Sequence, residues 1–114
     1  MMNHFIQGFS YARTGLTLAW KEYNFKIEVG CAVLVIALGF LLHISAFEFA
    51  LVVLAISVVL AAEAFNTALE ELCDKFQPTH DPHIAKIKDL GAATVLLSSI
   101  GASIVGLIIF IPYI

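Results

Sequence analysis

The sequence predicts an all-α integral membrane protein, with an N-terminal amphipathic surface helix followed by three transmembrane helices. Two observations carry this reading. The 114 residues are 61% hydrophobic and only 13% charged, with a mean hydropathy of +0.95, outside the range of soluble globular domains. The apolar residues also form long runs. Val29 to Phe47 and Leu90 to Ile114 contain no Lys, Arg, Asp or Glu, and a shorter run, Phe49 to Ala62, continues as a helical pattern past Glu48 and Glu63. A transmembrane helix needs about 20 mainly apolar residues to cross about 30 Å of hydrocarbon, and three such spans account for most of the chain.

The elements follow in order. Over residues 3–25, Phe5, Phe9, Ala12, Leu16, Ala19, Trp20 and Tyr23 recur at spacings of three and four, opposite a polar stripe of Gln7, Ser10, Thr14, Thr17, Lys21 and Asn24. This is the pattern of an amphipathic helix in the membrane interface, with Trp20 and Tyr23 at headgroup depth, serving either as a plain anchor or also as part of a site. Gly8 and Gly15 weaken that helix by about 1 kcal/mol each relative to alanine. Helices containing the spans are expected at about 27–44, 47–75 and 85–111. Repeats, low-complexity tracts and linkers are absent, so residues 1–114 read as one membrane domain. No basic start with a small-residue cleavage site precedes the first apolar run, and no removable signal peptide is expected. All six basic residues, Arg13, Lys21, Lys26, Lys75, Lys86 and Lys88, fall before span one or between spans two and three. By the positive-inside rule the N-terminus and the 75–88 loop face the cytoplasm of a bacterial cell (inner) membrane, and the C-terminus faces out.

Where span two ends, "AAEAFNTALEELCD" carries Glu63, Asn66, Glu70 and Asp74. At about 100° per residue these four fall within about 80° of one another, as a single stripe on one helical face. A span starting near Phe47 reaches the cytoplasmic boundary near Asn66 at about 1.5 Å per residue. Glu63 then lies just inside the apolar layer, and Glu70 and Asp74 project from it. An acid in a span costs about 3 kcal/mol at mid-bilayer and less near the interface, so such residues are usually paired or functional. The bland alternative is a snorkelling Glu63 above a solvated helix end. The following loop adds Lys86, Lys88 and Asp89 at the head of span three. Carboxylates for Mg²⁺, a lysine for phosphate oxygens and a further acid for a hydroxyl proton are the parts that phosphoryl transfer needs. A Gly-rich Walker A loop and the protein-kinase signatures are missing. From the residues alone, the site is interfacial with metal and phosphate potential.

"EAFNTALEELCD" followed by "HDPHIAKIKDLGAATVLL" resembles the E-x-x-N-[ST]-A-[IL]-E…D…K-D signature of the prokaryotic diacylglycerol kinase family, which includes diacylglycerol and undecaprenol kinases. "KEYNFKIE" resembles the family's stretch before span one, and "GLIIFIP" the end of its undecaprenol-kinase branch. The resemblance implies a small homotrimeric membrane kinase that uses ATP and Mg²⁺ at sites shared between neighbouring subunits. Glu63 matches the family's proton acceptor for the lipid hydroxyl. Glu22 and Glu70 match its metal-coordinating carboxylates, Lys88 and Asp89 its nucleotide-contacting pair, and Asn66 its polar residue beside the transferred phosphate. Glu28 resembles an acidic position of the diacylglycerol branch. Two positions depart from the pattern: Ala92 replaces a serine of diacylglycerol-specific members, and Asn3 an arginine near the nucleotide. Ala92 offers a methyl where a serine would hydrogen-bond a glyceride headgroup, which tilts the expected substrate to undecaprenol, with diacylglycerol as the alternative.

Other features carry blander readings. Cys73, His80 and His83 fall in or beside a loop with Pro78 and Pro82, which reads as solvated rather than as a zinc site, with His80 near the nucleotide. Cys31 in span one and Cys73 on the cytoplasmic side cannot meet, so both are expected as thiols. Ser98, Ser99, Ala102, Ser103 and Gly106 favour close helix packing between subunits. No nucleic-acid partner is expected. A small multidrug-type transporter would need four spans and an acid near mid-membrane. A non-catalytic membrane subunit would use the polar stripe to bind a partner helix.

Overall fold

The computed structural model describes residues 2–76 and 81–114. Four α-helices follow one another: α1 (Met2–Trp20), α2 (Tyr23–Leu42), α3 (Ala46–Phe76) and α4 (Pro82–Phe110), with a closing 3-10 turn at Ile111–Tyr113. Helices α2, α3 and α4 are each long and apolar enough to cross a membrane. The all-helical build suits that solvent, because in hydrocarbon every backbone N–H and C=O has to be satisfied within the segment. The 31 residues of α3 make about 46 Å of helix. That exceeds the hydrocarbon thickness of about 30 Å, so one end of α3 must project beyond the apolar layer.

The N-terminal region divides differently from the expected 3–25 helix. Helix α1 stops at Trp20, where Lys21 N–H and Glu22 N–H bond to the Leu18 and Ala19 carbonyls at 3.2 and 3.0 Å in a tightened last turn. Glu22 has extended backbone (φ −78°, ψ 132°) and is the N-cap of α2, with no capping bond from its own side chain. Helix α1 meets the other helices at its C-terminal end, where Ala19 is buried.

The turn between α2 and α3 is tightly specified. His43 ends α2 in the left-handed conformation (φ 58°), and Ile44 N–H bonds back to the Gly39 carbonyl at 3.1 Å. Ser45 and Glu48 then form a capping box. Ser45 N–H donates to Glu48 Oε1 at 2.9 Å and Glu48 N–H to Ser45 Oγ at 3.1 Å, which satisfies two N–H groups that the start of a helix leaves free. Tyr113 Oη also donates to Glu48 Oε1, at 2.5 Å. The C-terminal turn is thereby tied to the α2–α3 hairpin. At the other end, Asp81 starts α4 by accepting from His83 and Ile84 N–H at 2.8 and 3.2 Å, with Pro82 in the first turn, where its missing N–H costs nothing.

The buried core, Ile44, Val52, Ile109 and Phe110, lies at the hairpin end, with Val35, Leu42, Phe49 and Val105 packed around it. Outside it, large apolar side chains face outward: Leu34 is 71% and Leu41 73% exposed, as lipid or another chain would require. Phe40 and Phe49 stack with ring centroids 4.7 Å apart, and this contact depends on Gly39. A Cβ there would come within 2.8 Å of the Phe49 ring and 3.0 Å of Ile44. Gly39→Ala is therefore expected to destabilise the protein by about 1–3 kcal/mol through overpacking. Gly30→Ala, where a Cβ meets nothing within 4 Å, should not. Thermal unfolding in detergent checks both.

Candidate functional site

At the end opposite the core, α3 presents the polar stripe toward its neighbours. Glu63 is a buried charged residue, 9% exposed, on a helix face otherwise buried through Val52, Val59 and Ala62. The charges acting on it come from Glu28 on α2 and Glu70 on its own helix. Asn66 Nδ2 donates to Glu70 Oε1 at 3.1 Å, one turn along the helix. That bond orients the amide: the carboxylate accepts only, so the NH₂ must face it and Oδ1 must face away. Asn66 Oδ1 is buried, with no partner among the described residues, and lies against Gly91 of α4.

Helix α4 brings its basic residue back onto this stripe. Lys88 Nζ bonds to Asp74 Oδ1 at 2.5 Å, an ion pair whose side chains are 39% and 64% exposed. Asp74 belongs to the stripe read from the sequence but not to the expected site set, and its role here is to hold the lysine.

The other residues expected at the site are exposed in the single chain. Glu22 is exposed at the α1–α2 junction, and Asp89 is exposed on α4. Among the described residues, no three His, Cys, Asp or Glu side chains gather closely enough to hold a metal ion. His80 lies outside the described residues, and His83 is exposed in the first turn of α4. Cys31 is exposed and Cys73 buried, both as free thiols.

Between α2, α3 and α4 runs an apolar groove of about 340 Å³, with Glu28 near one end, Val35 and Val59 along its sides, Ser99 and Ser103 on α4, and Phe110 at the core end. Glu28 is the one carboxylate in its lining, and the rest is apolar apart from Cys31, Ser99 and Ser103. The polar stripe of α3 offers carboxylate and amide oxygens at Glu63, Asn66 and Glu70, hard donors of the kind suited to a divalent cation such as Mg²⁺, which is usually held by one or two carboxylates plus phosphate and water.

Three helices able to span a membrane, with a buried acid and a lysine–carboxylate pair at one end of the bundle, place the chain among multi-pass membrane proteins. This chain belongs to the prokaryotic diacylglycerol kinase family, whose profile matches residues 10–110. It is 32% identical over 112 residues to the undecaprenol kinase of Bacillus subtilis (strain 168), covering 97% of this chain and 91% of the relative. It is 31% identical over 98 residues to the diacylglycerol kinase of Haemophilus influenzae, covering 85% and 83%, and 28% identical over 100 residues to that of Escherichia coli (strain K12), covering 87% and 82%. The protein is accordingly a membrane lipid kinase, a transferase that takes its phosphoryl group from a nucleotide.

The geometry separates a buried acid from an exposed one. Glu63→Gln removes one of three like charges and is expected to raise stability by about 0.5–2 kcal/mol, in the manner of functional-site residues that trade stability for activity. Asp74→Asn, which removes an exposed ion pair, should leave the thermal midpoint in detergent where it is.

Proposed function

We propose that the protein transfers the γ-phosphate of ATP, with Mg²⁺, to the hydroxyl of a membrane lipid alcohol, and that undecaprenol is preferred to diacylglycerol. The observation that carries this reading is the buried Glu63 carboxylate, set one helical turn from the Asn66–Glu70 pair. A lipid hydroxyl reaching this depth meets Glu63 as general base. The carboxylate takes the hydroxyl proton as the oxygen attacks phosphorus, a contribution of about 10² to 10⁴ in rate. Lys88 and Asp89 hold the nucleotide from α4, and Asn66 lies beside the transferred phosphate. Glu22 and Glu70 would hold the Mg²⁺, which supplies charge neutralisation for the phosphates.

The exposed positions of Glu22 and Asp89 support a site completed by a second copy, in keeping with a homotrimer whose sites are shared between neighbours. The distribution of the six basic residues supports a cytoplasmic site, with the C-terminus outside. Helix α1 serves as the interfacial helix, with Phe5 and Phe9 in edge-to-face contact at 5.1 Å. Preference for undecaprenol is supported by the kinase of that name among the relatives and by Ala92, exposed on α4 one turn after Lys88. The apolar groove suits a long hydrocarbon chain with a single hydroxyl.

Two measurements test the proposal. Glu63→Gln should abolish turnover while leaving binding of ATP with Mg²⁺ largely intact; activity within about tenfold of wild type would remove Glu63 as base. The second is the ratio of kcat/KM for undecaprenol over diacylglycerol. It should exceed one in the wild type and fall in Ala92→Ser by only about tenfold or less, since one hydrogen bond is worth about 0.5–1.5 kcal/mol. A wild-type ratio well below one would make diacylglycerol the substrate.

A further inference from the structure

We infer that Gly91 is a positioning residue for phosphoryl transfer: the missing side chain lets α4 lie against the Asn66 amide, and this contact sets where Lys88 and Asp89 stand relative to Glu70. The inference rests on the proposed assignment of those residues to the nucleotide side.

Gly91 is buried on α4. A Cβ built on it would lie closer to Asn66 Oδ1 than real Cβ atoms approach, and 3.2 Å from Leu69 Cδ1. Gly101 and Gly106 on the same helix would meet nothing within 4 Å, so the close approach is particular to this point. A methyl group at 91 has two ways to be accommodated, and both disturb the site. Asn66 cannot swing away freely, because its Nδ2 is bonded to Glu70, and reversing the amide would set Oδ1 against a carboxylate. The alternative is for α4 to move back from α3. Lys88 lies three residues before Gly91, on the same side of the helix, and its bond to Asp74 spans the same gap. Glu63 is on α3, one turn before Asn66 and on the far side of it from the Lys88–Asp74 pair, so it lies away from the displaced lysine. The disturbance therefore falls on the nucleotide side and spares the base.

The test is Gly91→Ala in the full-length enzyme reconstituted in lipid. The nucleotide kcat/KM should fall about 10- to 100-fold, as expected for misplacement approaching 1 Å, carried largely by a raised nucleotide KM, while the KM for the lipid alcohol stays put. Gly101→Ala gains the same helix propensity and should remain within about twofold of wild type. The coupling to Asn66 is read from affinity: in an Asn66→Ala background, adding Gly91→Ala should change the Kd for ATP with Mg²⁺ by less than about twofold. An unchanged nucleotide KM in Gly91→Ala would overturn the inference. So would an equal loss in the Asn66→Ala background, which would reduce Gly91 to general helix packing. If Gly91→Ala does not assemble, the double variant must, and its failure to do so also counts against the inference. A wild-type enzyme that phosphorylates no lipid alcohol would instead remove the underlying kinase-site assignment, a result distinct from any behaviour of the variant.

Discussion

A carboxylate kept on an apolar helix is the constraint from which the rest of the molecule follows. Glu63 sits where α3 is still packed against its neighbours, and ionising it there is costly unless a cation or hydrogen-bond donors compensate. Two further acids, Glu28 and Glu70, act on it and add to that cost. An arrangement of this kind does not arise from folding alone, since glutamine or leucine would pack at position 63 with less strain. The core has accordingly moved away from it, to the hairpin end around Ile44, Val52, Ile109 and Phe110. The apolar core and the buried carboxylate thus lie at opposite ends of the bundle.

Much of this was legible in the sequence because membranes restrict the choices. Long uncharged runs in a strongly apolar chain leave little besides transmembrane helices, and the 3.6-residue period alone places Glu63, Asn66, Glu70 and Asp74 on one face. The signature shared with lipid kinases then turned a polar stripe into a set of roles. Some local signals were present and unread. Asp81-Pro82 is a helix start, with a side-chain acceptor followed by a residue that needs no N–H, and it moves the beginning of α4 ahead of the expected position 85. Ser45 and Glu48 have the spacing of a capping box.

Other features could not be read from one chain. Glu22 was placed within the surface helix because the amphipathic period runs through it. The break at Lys21 and Glu22 has no proline or glycine to announce it, and comes from tightened backbone bonds. The Lys88–Asp74 pair and the Gly91–Asn66 contact depend on how α3 and α4 cross, which helical periodicity does not encode. Glu22 and Asp89, which the family signature groups with Glu70 and Lys88, are exposed in the single chain, and a linear pattern does not say what stands against an exposed side chain.

The bond between Tyr113 and Glu48 bears on how the enzyme moves. It fastens the far end of α4 to the start of α3, while Asn66 and Gly91 touch near the other end, about 27 Å away along α3 at 1.5 Å per residue. Two fastenings that far apart forbid the helices to slide past each other as a piston, because any axial slip would break one of them. Beyond the second fastening, the last turns of α3 and the first turns of α4 are joined by the exposed Lys88–Asp74 pair. The stretch of α3 and α4 between the two fastenings is thus braced at both ends, like a ladder between its first and last rung.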